Sequence, residues 1–411
     1  MKIWPQKRIY MDYTSLTPID PRVVSEMKKF SGREYANVSS IYKEGVASKK
    51  TIENARITIG DFIGAHSDEI FFTSGGTESN NIAILGAVES LLKDGVQYSE
   101  MHIVVSSIEH SSVIETAKYL KSRGVHVDFI PVDKCGVVDL DILKKSLKVN
   151  TVLVSIMAVN NEIGTVEPIR EIAKIVRDYR KSLHIDVLQE NQVQAGDSWR
   201  RKVLPEIGNH YPLFHTDASQ AGLFQELKVE KMGVQLMTLD AGKMYGPRGT
   251  GILFKKRNTP ISPIIFGGGQ EKGLRSGTEN VPAIMGFAKA VELVRNERES
   301  ETQRLQELRK YFINTLKTSK LEIIIHGEGA VVSPHIVNIQ IPKIDNEFFV
   351  LQLDAKGISC STKSSCLRDA DESYVLKAIG ADTHTSIRLS FGRWSRKAHI
   401  RKLIRVILQL L

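Results

Sequence analysis

Between Pro18 and Gly286 the chain alternates short apolar runs with longer amphipathic stretches. The runs "EIFFTSGG", "HIVVSS", "HVDFIPV", "TVLVSIMAV", "LFHTDAS" and "VQLMTLD" are continuous rather than alternating, and several end in small polar residues. Continuous apolar strands are buried on both faces. Between them, Glu78–Leu92, Val113–Arg123 and Ile169–Arg180 repeat apolar positions at helical spacing. Strand then helix, repeated, predicts an α/β fold with a mostly parallel sheet covered by helices on both faces. Ligands of such sheets bind beyond the carboxyl ends of the strands, so the polar strand ends are where chemistry is sought.

The pattern then changes. Residues 287–319 read as one long helix rich in Glu, Arg and Leu. The segments "HIVNIQIP", "FFVLQLDAKGISC", "SIRLSFGR" and "HIRKLIRVILQLL" mix strands and helices. This predicts a large domain over 16–295 and a smaller α+β domain from 1–15 and 296–411. The polar, aperiodic stretch 186–211 reads as an inserted loop.

Composition narrows the function classes. With 411 residues, 42% hydrophobic and 25% charged, the chain matches a globular protein of two domains. No run approaches the ~18 apolar residues of a membrane span. The start, "MKIWPQKRIYMDY", has no apolar signal block, so a cytoplasmic protein without membrane association is expected. The net charge of +9 is scattered rather than striped with aromatics, which favours a solvated basic surface over direct nucleic-acid binding. Three cysteines, Cys135, Cys360 and Cys366, are too few for a disulfide framework and lack zinc-ligand spacing, so no metal is expected.

Several strand ends carry residues with both a bland and a chemical reading. "TSGGTESNN" passes from a strand through Gly75 and Gly76 into a helix near Thr77: a capped helix, or an anion site built from backbone amides. His110 in "IEHSSV" reads as a structural imidazole or a catalyst. Asn160 and Asn161 in "VNNEIG" satisfy turn chemistry alone. Asp217 and Gln220 follow a strand in "HTDASQ", where a buried carboxylate requires a positive partner. Lys243 stands in "LDAGKMYGPRGTG", a tight turn between two apolar strands, a costly place for a cation without a task. One ligand would use them all: a phosphate for Gly75–Thr77, an aromatic ring for His110, a basic ring nitrogen for Asp217 and a carbonyl for Lys243. Pyridoxal 5′-phosphate has these four features.

In motif order the chain resembles the cysteine desulfurases of the iron–sulfur-assembly branch, which are class-V aminotransferase-family, fold-type-I pyridoxal-phosphate enzymes. The resemblance runs from "YMDYTSLTPIDPRVV" through "FTSGGTESNN", "VSIMAVNNEIGTVEPI", "HTDASQ" and "GGGQEKGLRSGTENVPAIMGF" to "SIRLSFGR". It implies a seven-stranded sheet in the large domain. It also implies that L-cysteine is converted to L-alanine with a persulfide left on Cys366, the cysteine closing "STKSSC". By the same resemblance Lys243 forms the imine with the cofactor and moves the α-proton. Asp217 pairs with the pyridine nitrogen, Gln220 bonds the ring hydroxyl, and His110 stacks on the ring and shuttles a proton. Gly76 and Thr77 hold the phosphate, Asn161 lies near ring and substrate, and Arg388 binds the substrate carboxylate. Thr278 reaches the phosphate of a second subunit, which implies a homodimer, and the persulfide implies a sulfur-acceptor protein.

Three positions depart from the family pattern. The family's Ser-Gly-His-Lys, whose serine and histidine bond phosphate, is here Asp240-Ala241-Gly242-Lys243. Its Ala-Thr-Thr is Ser15-Leu16-Thr17, and its "NPSS…H" is "NVSSIY" with Val38 and Tyr42. A carboxylate at Asp240 repels a phosphate unless it points away, so weaker cofactor affinity is expected, or a phosphate site rebuilt from Thr77, Thr278 and backbone amides. The alternatives are a selenocysteine lyase or small aminotransferase, a non-catalytic scaffold derived from a desulfurase, and a basic RNA-binding protein. Cys366 has no use in an aminotransferase.

Overall fold

The computed structural model describes residues 8–32, 35–189, 210–319, 321–362 and 372–411. Its strands are β1 (Ile9–Tyr10), β2 (Ile70–Thr73), β3 (His102–Ser106), β4 (His126–Ile130), β5 (Thr151–Ser155), β6 (Leu213–Asp217), β7 (Leu236–Asp240), β8 (Gly251–Lys255), β9 (Ile324–Ile325), β10 (Ile336–Gln340), β11 (Ile358–Ser359) and β12 (Ser386–Ser390). The seven-stranded sheet has the order β2-β8-β7-β6-β5-β3-β4. Only β8 runs against its neighbours; β7-β6-β5-β3-β4 are parallel throughout.

The continuous apolar runs are explained by two cores. Ile70, Phe72, Val104, Val154, Phe214, Met237 and Phe254 enter one, and Phe71, Ile103, Val105, Leu153, Leu213, Leu236 and Leu253 enter the other. Alternate residues of each strand thus point to opposite buried faces. The helices around the sheet are α1 (Pro21–Lys29), α2 (Lys43–Ile63), α3 (Gly76–Lys93), α4 (Ser111–Ser122), α5 (Leu140–Ser146), α6 (Ile169–Gln189) and α7 (Val229–Met232). Helix α6 overruns the start of the expected 186–211 loop, because helical residues continue to Gln189; 190–209 lie outside the described residues.

The long helix α8 (Val281–Thr318) starts six residues earlier than the periodicity suggests. Asn280 caps it by accepting the Ala283 N–H at 3.1 Å, and Pro282 falls in the first turn, where its missing N–H costs nothing. It crosses residue 295 without a break. Beyond it, β12-β10-β9 form a three-stranded antiparallel sheet, with α9 (Asn346–Ala355), α10 (Tyr374–Ala378) and α11 (Lys397–Leu410) nearby. Strand β1 returns from the amino-terminal end to pair in parallel with β11. Among the described residues no helix is long and apolar enough to cross a membrane.

Candidate active site

The carboxyl ends of β2, β6 and β7 and the turns after β3 and β5 converge with residues 14–15 and β12 on a cavity of about 210 Å³. Gly76, Thr77, His110, Asn161, Asp217, Gln220, Lys243 and Arg388 all line it, although they come from strand ends far apart in sequence. Thr278 is exposed and does not line the cavity, and Cys366 lies outside the described residues.

Lys243 ends a short 3-10 turn over Ala241–Lys243, and its Nζ donates to the backbone carbonyls of Thr14 at 2.8 Å and Ser15 at 2.6 Å. The turn is held from outside by Thr17. Its Oγ1 donates to the Gly242 carbonyl at 2.8 Å and accepts the Tyr245 N–H at 2.8 Å. Tyr245 needs that support, because it is fully buried with φ of 60°, a conformation costly for a bulky residue. Its hydroxyl accepts the Arg393 N–H at 2.8 Å, and the Arg393 guanidinium lies 4.4 Å from its ring centre.

Asp217, at the end of β6, is 6% exposed. Its Oδ1 accepts the Ser219 N–H at 2.9 Å and its Oδ2 accepts Asn80 Nδ2 at 2.8 Å. Asn80 also donates to Ser112 Oγ at 2.8 Å, and Ser112 Oγ lies 2.8 Å from His110 Nδ1. The Ser112 N–H donates to the same Nδ1 at 3.2 Å, so His110 caps α4 as an acceptor and carries its proton on Nε2. Asp217, Asn80, Ser112 and His110 thus form one hydrogen-bonded chain. Asn80 and Ser112 stand inside "TSGGTESNN" and "IEHSSV", where nothing local marks them out from their polar neighbours.

Gln220 is fixed at both ends: Nε2 donates to the Thr14 carbonyl at 3.0 Å, and Oε1 lies 3.4 Å from His335 Nε2. Burial pushes the His335 imidazole down to about 3, so it is neutral, and its Nε2–H donates to Gln220. The two asparagines separate in role. Asn160 Oδ1 accepts the N–H groups of Glu162 and Ile163 at 2.8 and 3.0 Å, which is turn chemistry, whereas Asn161 faces the cavity.

Arg388 is 1% exposed and ties three segments together. Nη1 donates to the Asn161 carbonyl at 3.0 Å, and Nη2 donates to Asp12 Oδ1 at 3.0 Å and Ser15 Oγ at 2.7 Å. Its Nε has no partner among the described residues, an open donor on a buried guanidinium. Its backbone pairs with Ser361, five residues before Cys366, with N–H to carbonyl distances of 2.6 and 3.2 Å. The segment that leads to Cys366 is therefore rooted beside Arg388. Burial pushes the Cys360 thiol up to about 12, so Cys360 is not a thiolate near neutral pH.

The ring half of this site fits a pyridoxal: a lysine, a buried carboxylate for the ring nitrogen, and a glutamine and histidine along the ring. The phosphate half does not present an open cup. The Asp240 carboxylate already occupies it, accepting the Gly76 N–H at 2.9 Å and the Gly242 N–H at 2.7 Å. Among the described residues no cluster of three His, Cys, Asp or Glu could hold a metal ion.

The sequence profile described as Aminotransferase class-V matches residues 9–198 and 202–403. Cysteine desulfurase IscS of Dictyoglomus turgidum is 38% identical over 396 residues, which cover 95% of this chain and 91% of that protein. Cysteine desulfurase IscS 1 of Archaeoglobus fulgidus is 39% identical over 404 residues, covering 97% and 95%. A solved NifS-like protein superimposes with a TM-score of 0.84 at 32% identity, over 98% of this chain and 100% of that one. The chain belongs to the class-V aminotransferase family, and within it to the cysteine desulfurases.

Proposed function

We propose that the chain is a pyridoxal-dependent cysteine desulfurase that converts L-cysteine to L-alanine and leaves the sulfur as a persulfide on Cys366. The observation that carries this reading is the convergence of Lys243, Asp217, His110 and Arg388 on one cavity. The family's cofactor is pyridoxal 5′-phosphate, and when bound it supplies the electron sink that acidifies the α-carbon of an amino acid. Asp217, locked by Asn80 and Ser219, would face the ring nitrogen and keep a proton there. Gln220 would lie along the ring on its hydroxyl side. Lys243 would hold the cofactor through its aldehyde and, once freed from it, would take the substrate α-proton on Nζ.

Arg388 holds the substrate carboxylate, with Asp12 and Ser15 as the groups that orient its guanidinium. His110, with its proton on Nε2, passes a proton to or from the reacting sulfur. The Cys366 thiolate bonds to the substrate sulfur while the Cβ–S bond breaks. The electron pair stays with the three-carbon fragment, which takes up protons and leaves as alanine, so cysteine plus thiol gives alanine plus persulfide. The persulfide is then delivered to an acceptor protein, consistent with iron–sulfur assembly.

A homodimer is part of the reading. Thr278, expected to reach the neighbouring subunit's cofactor, lies on a loop anchored by the Arg275–Glu78 pair at 2.7 Å and by the buried Arg56–Glu271 pair at 2.7 Å. Tyr35, Ile41, Tyr42, Val46 and Phe266 are exposed large apolar residues of the kind that a second copy would cover. The test is direct. Protein incubated with cysteine, a thiol reductant and the aldehyde cofactor releases alanine and sulfide, and Cys366→Ser releases neither. Transamination without sulfide, unaffected by Cys366→Ser, would establish an aminotransferase instead.

A further inference from the structure

The departures at Leu16, Asp240 and Gly242 meet at one point in the fold. Asp240 ends β7, and its carboxylate bridges two backbone amides, Gly76 N–H at the start of α3 and Gly242 N–H in the lysine turn. Gly242 makes room for it. A Cβ there would stand 3.1 Å from Asp240 Oδ1 and 3.2 Å from Leu16 Cδ1. A side chain at 242 would therefore press on this carboxylate and on Leu16, each of which would have to give by a few tenths of an ångström.

The cup is otherwise that of an anion site. Gly75 enters it with φ of 142°, which only glycine adopts readily, and a Cβ there would stand 3.3 Å from Asp240 Oδ2. Ser219 lines the cavity beside it with its Oγ 3.2 Å from the Cβ position of Gly76. Ser219 is 9% exposed, and its hydroxyl has no hydrogen-bond partner among the described residues. Two backbone amides and the N-terminal end of the α3 dipole face its charge. A phosphate dianion in the same cup would lose the Gly76 amide to the carboxylate and face it as a like charge.

We propose that Asp240 is a built-in anion that replaces the cofactor's phosphate at the α3 N-terminus, so that the 5′-phosphate adds no affinity and pyridoxal is held at least as well as its phosphate. The inference rests on the reading of Lys243 and Asp217 as the ring-binding pair. The electron-sink chemistry needs the ring, its nitrogen and the aldehyde; the phosphate serves as an anchor, and here the anchor point is taken.

The experiment is equilibrium dialysis of the full chain against pyridoxal and against pyridoxal 5′-phosphate, with borohydride reduction and mass analysis of the Lys243 peptide. Wild-type protein is expected to bind pyridoxal as tightly as, or more tightly than, the phosphate. Asp240→Ser and the near-isosteric Asp240→Asn are expected to tighten phosphate-form binding by about 100-fold through loss of the like charge, with little change for pyridoxal. Thermal unfolding checks that both variants fold. Preference of the wild type for the phosphate form, or phosphate-form affinity unchanged in both variants, overturns the inference while leaving the desulfurase reading intact. No binding of either aldehyde and no Lys243 adduct in all three proteins overturns both.

Discussion

Asn80 shows how much a single amide can carry at this site. It gives one hydrogen to Asp217 and the other to Ser112, and so couples the buried carboxylate to the His110 imidazole, both of which line the cavity. Asn80→Ala leaves Asp217 Oδ2 without that donor. Hydrogen bonds to charged groups contribute about 1.5–3 kcal/mol, so kcat is expected to fall about 10- to 100-fold while the protein stays folded. Steady-state kinetics at saturating cysteine checks this. Arg388→Lys keeps a charge but loses the planar fork that reaches Asn161, Asp12 and Ser15 together. Its expected signature is a raised KM for cysteine with a smaller change in kcat, and an equal fall in kcat would argue against a carboxylate-binding role.

At the scale of elements, the lysine turn is a strained piece held by its neighbours. Thr17 donates to Gly242 and accepts from Tyr245, and the Asp20 N–H reaches the Tyr245 carbonyl at 3.0 Å. The segment before α1 therefore acts as a strap across the turn. Thr17→Val removes both bonds and leaves a buried N–H on Tyr245 unpaired, which costs about 1–3 kcal/mol. Urea unfolding measures the loss, and because the strap also seats Lys243, cofactor binding is expected to weaken in the same variant. The same elements show what was legible beforehand. The strands after which Asp217 and Lys243 fall could be read as apolar runs. The strap could not, because Thr17 and Tyr245 are distant in sequence and neither position has a pattern.

For the whole molecule, buried histidines set the response to acid. Burial pushes His326 and His215 down to about 4 and His335 to about 3, whereas an unfolded imidazole titrates near 6.5. Between those values the unfolded chain binds more protons than the folded one. The contribution of these groups is thus full above pH 6.5 and is lost as pH falls toward 4. His326→Gln, which keeps a polar group opposite Ser386, is expected to reduce proton uptake on unfolding by about one in that window. Glu167 works in the opposite sense. Burial raises it to about 8, so its contribution is full below pH 4.5 and is lost as pH rises through 8. Glu167→Gln is expected to gain on wild type across that range, as denaturant midpoints at pH 5 and pH 8 would show.

The sequence by itself determined the order of strands and helices, since apolar period and run length are local properties, and it marked Lys243, Asp217, Gln220, His110 and Arg388 through motifs in a family's order. It also marked Asp240 and Gly242 as departures, without saying where the carboxylate goes. Only the tertiary structure decided that these two and Leu16 lie in contact, that Asp240 points into the cup rather than away, and that Asn80 and Ser112 join Asp217 to His110. The reason is physical: these relations depend on strand ends separated by tens to hundreds of residues meeting in the same few ångströms, where packing and hydrogen-bond geometry, not local pattern, choose the partners.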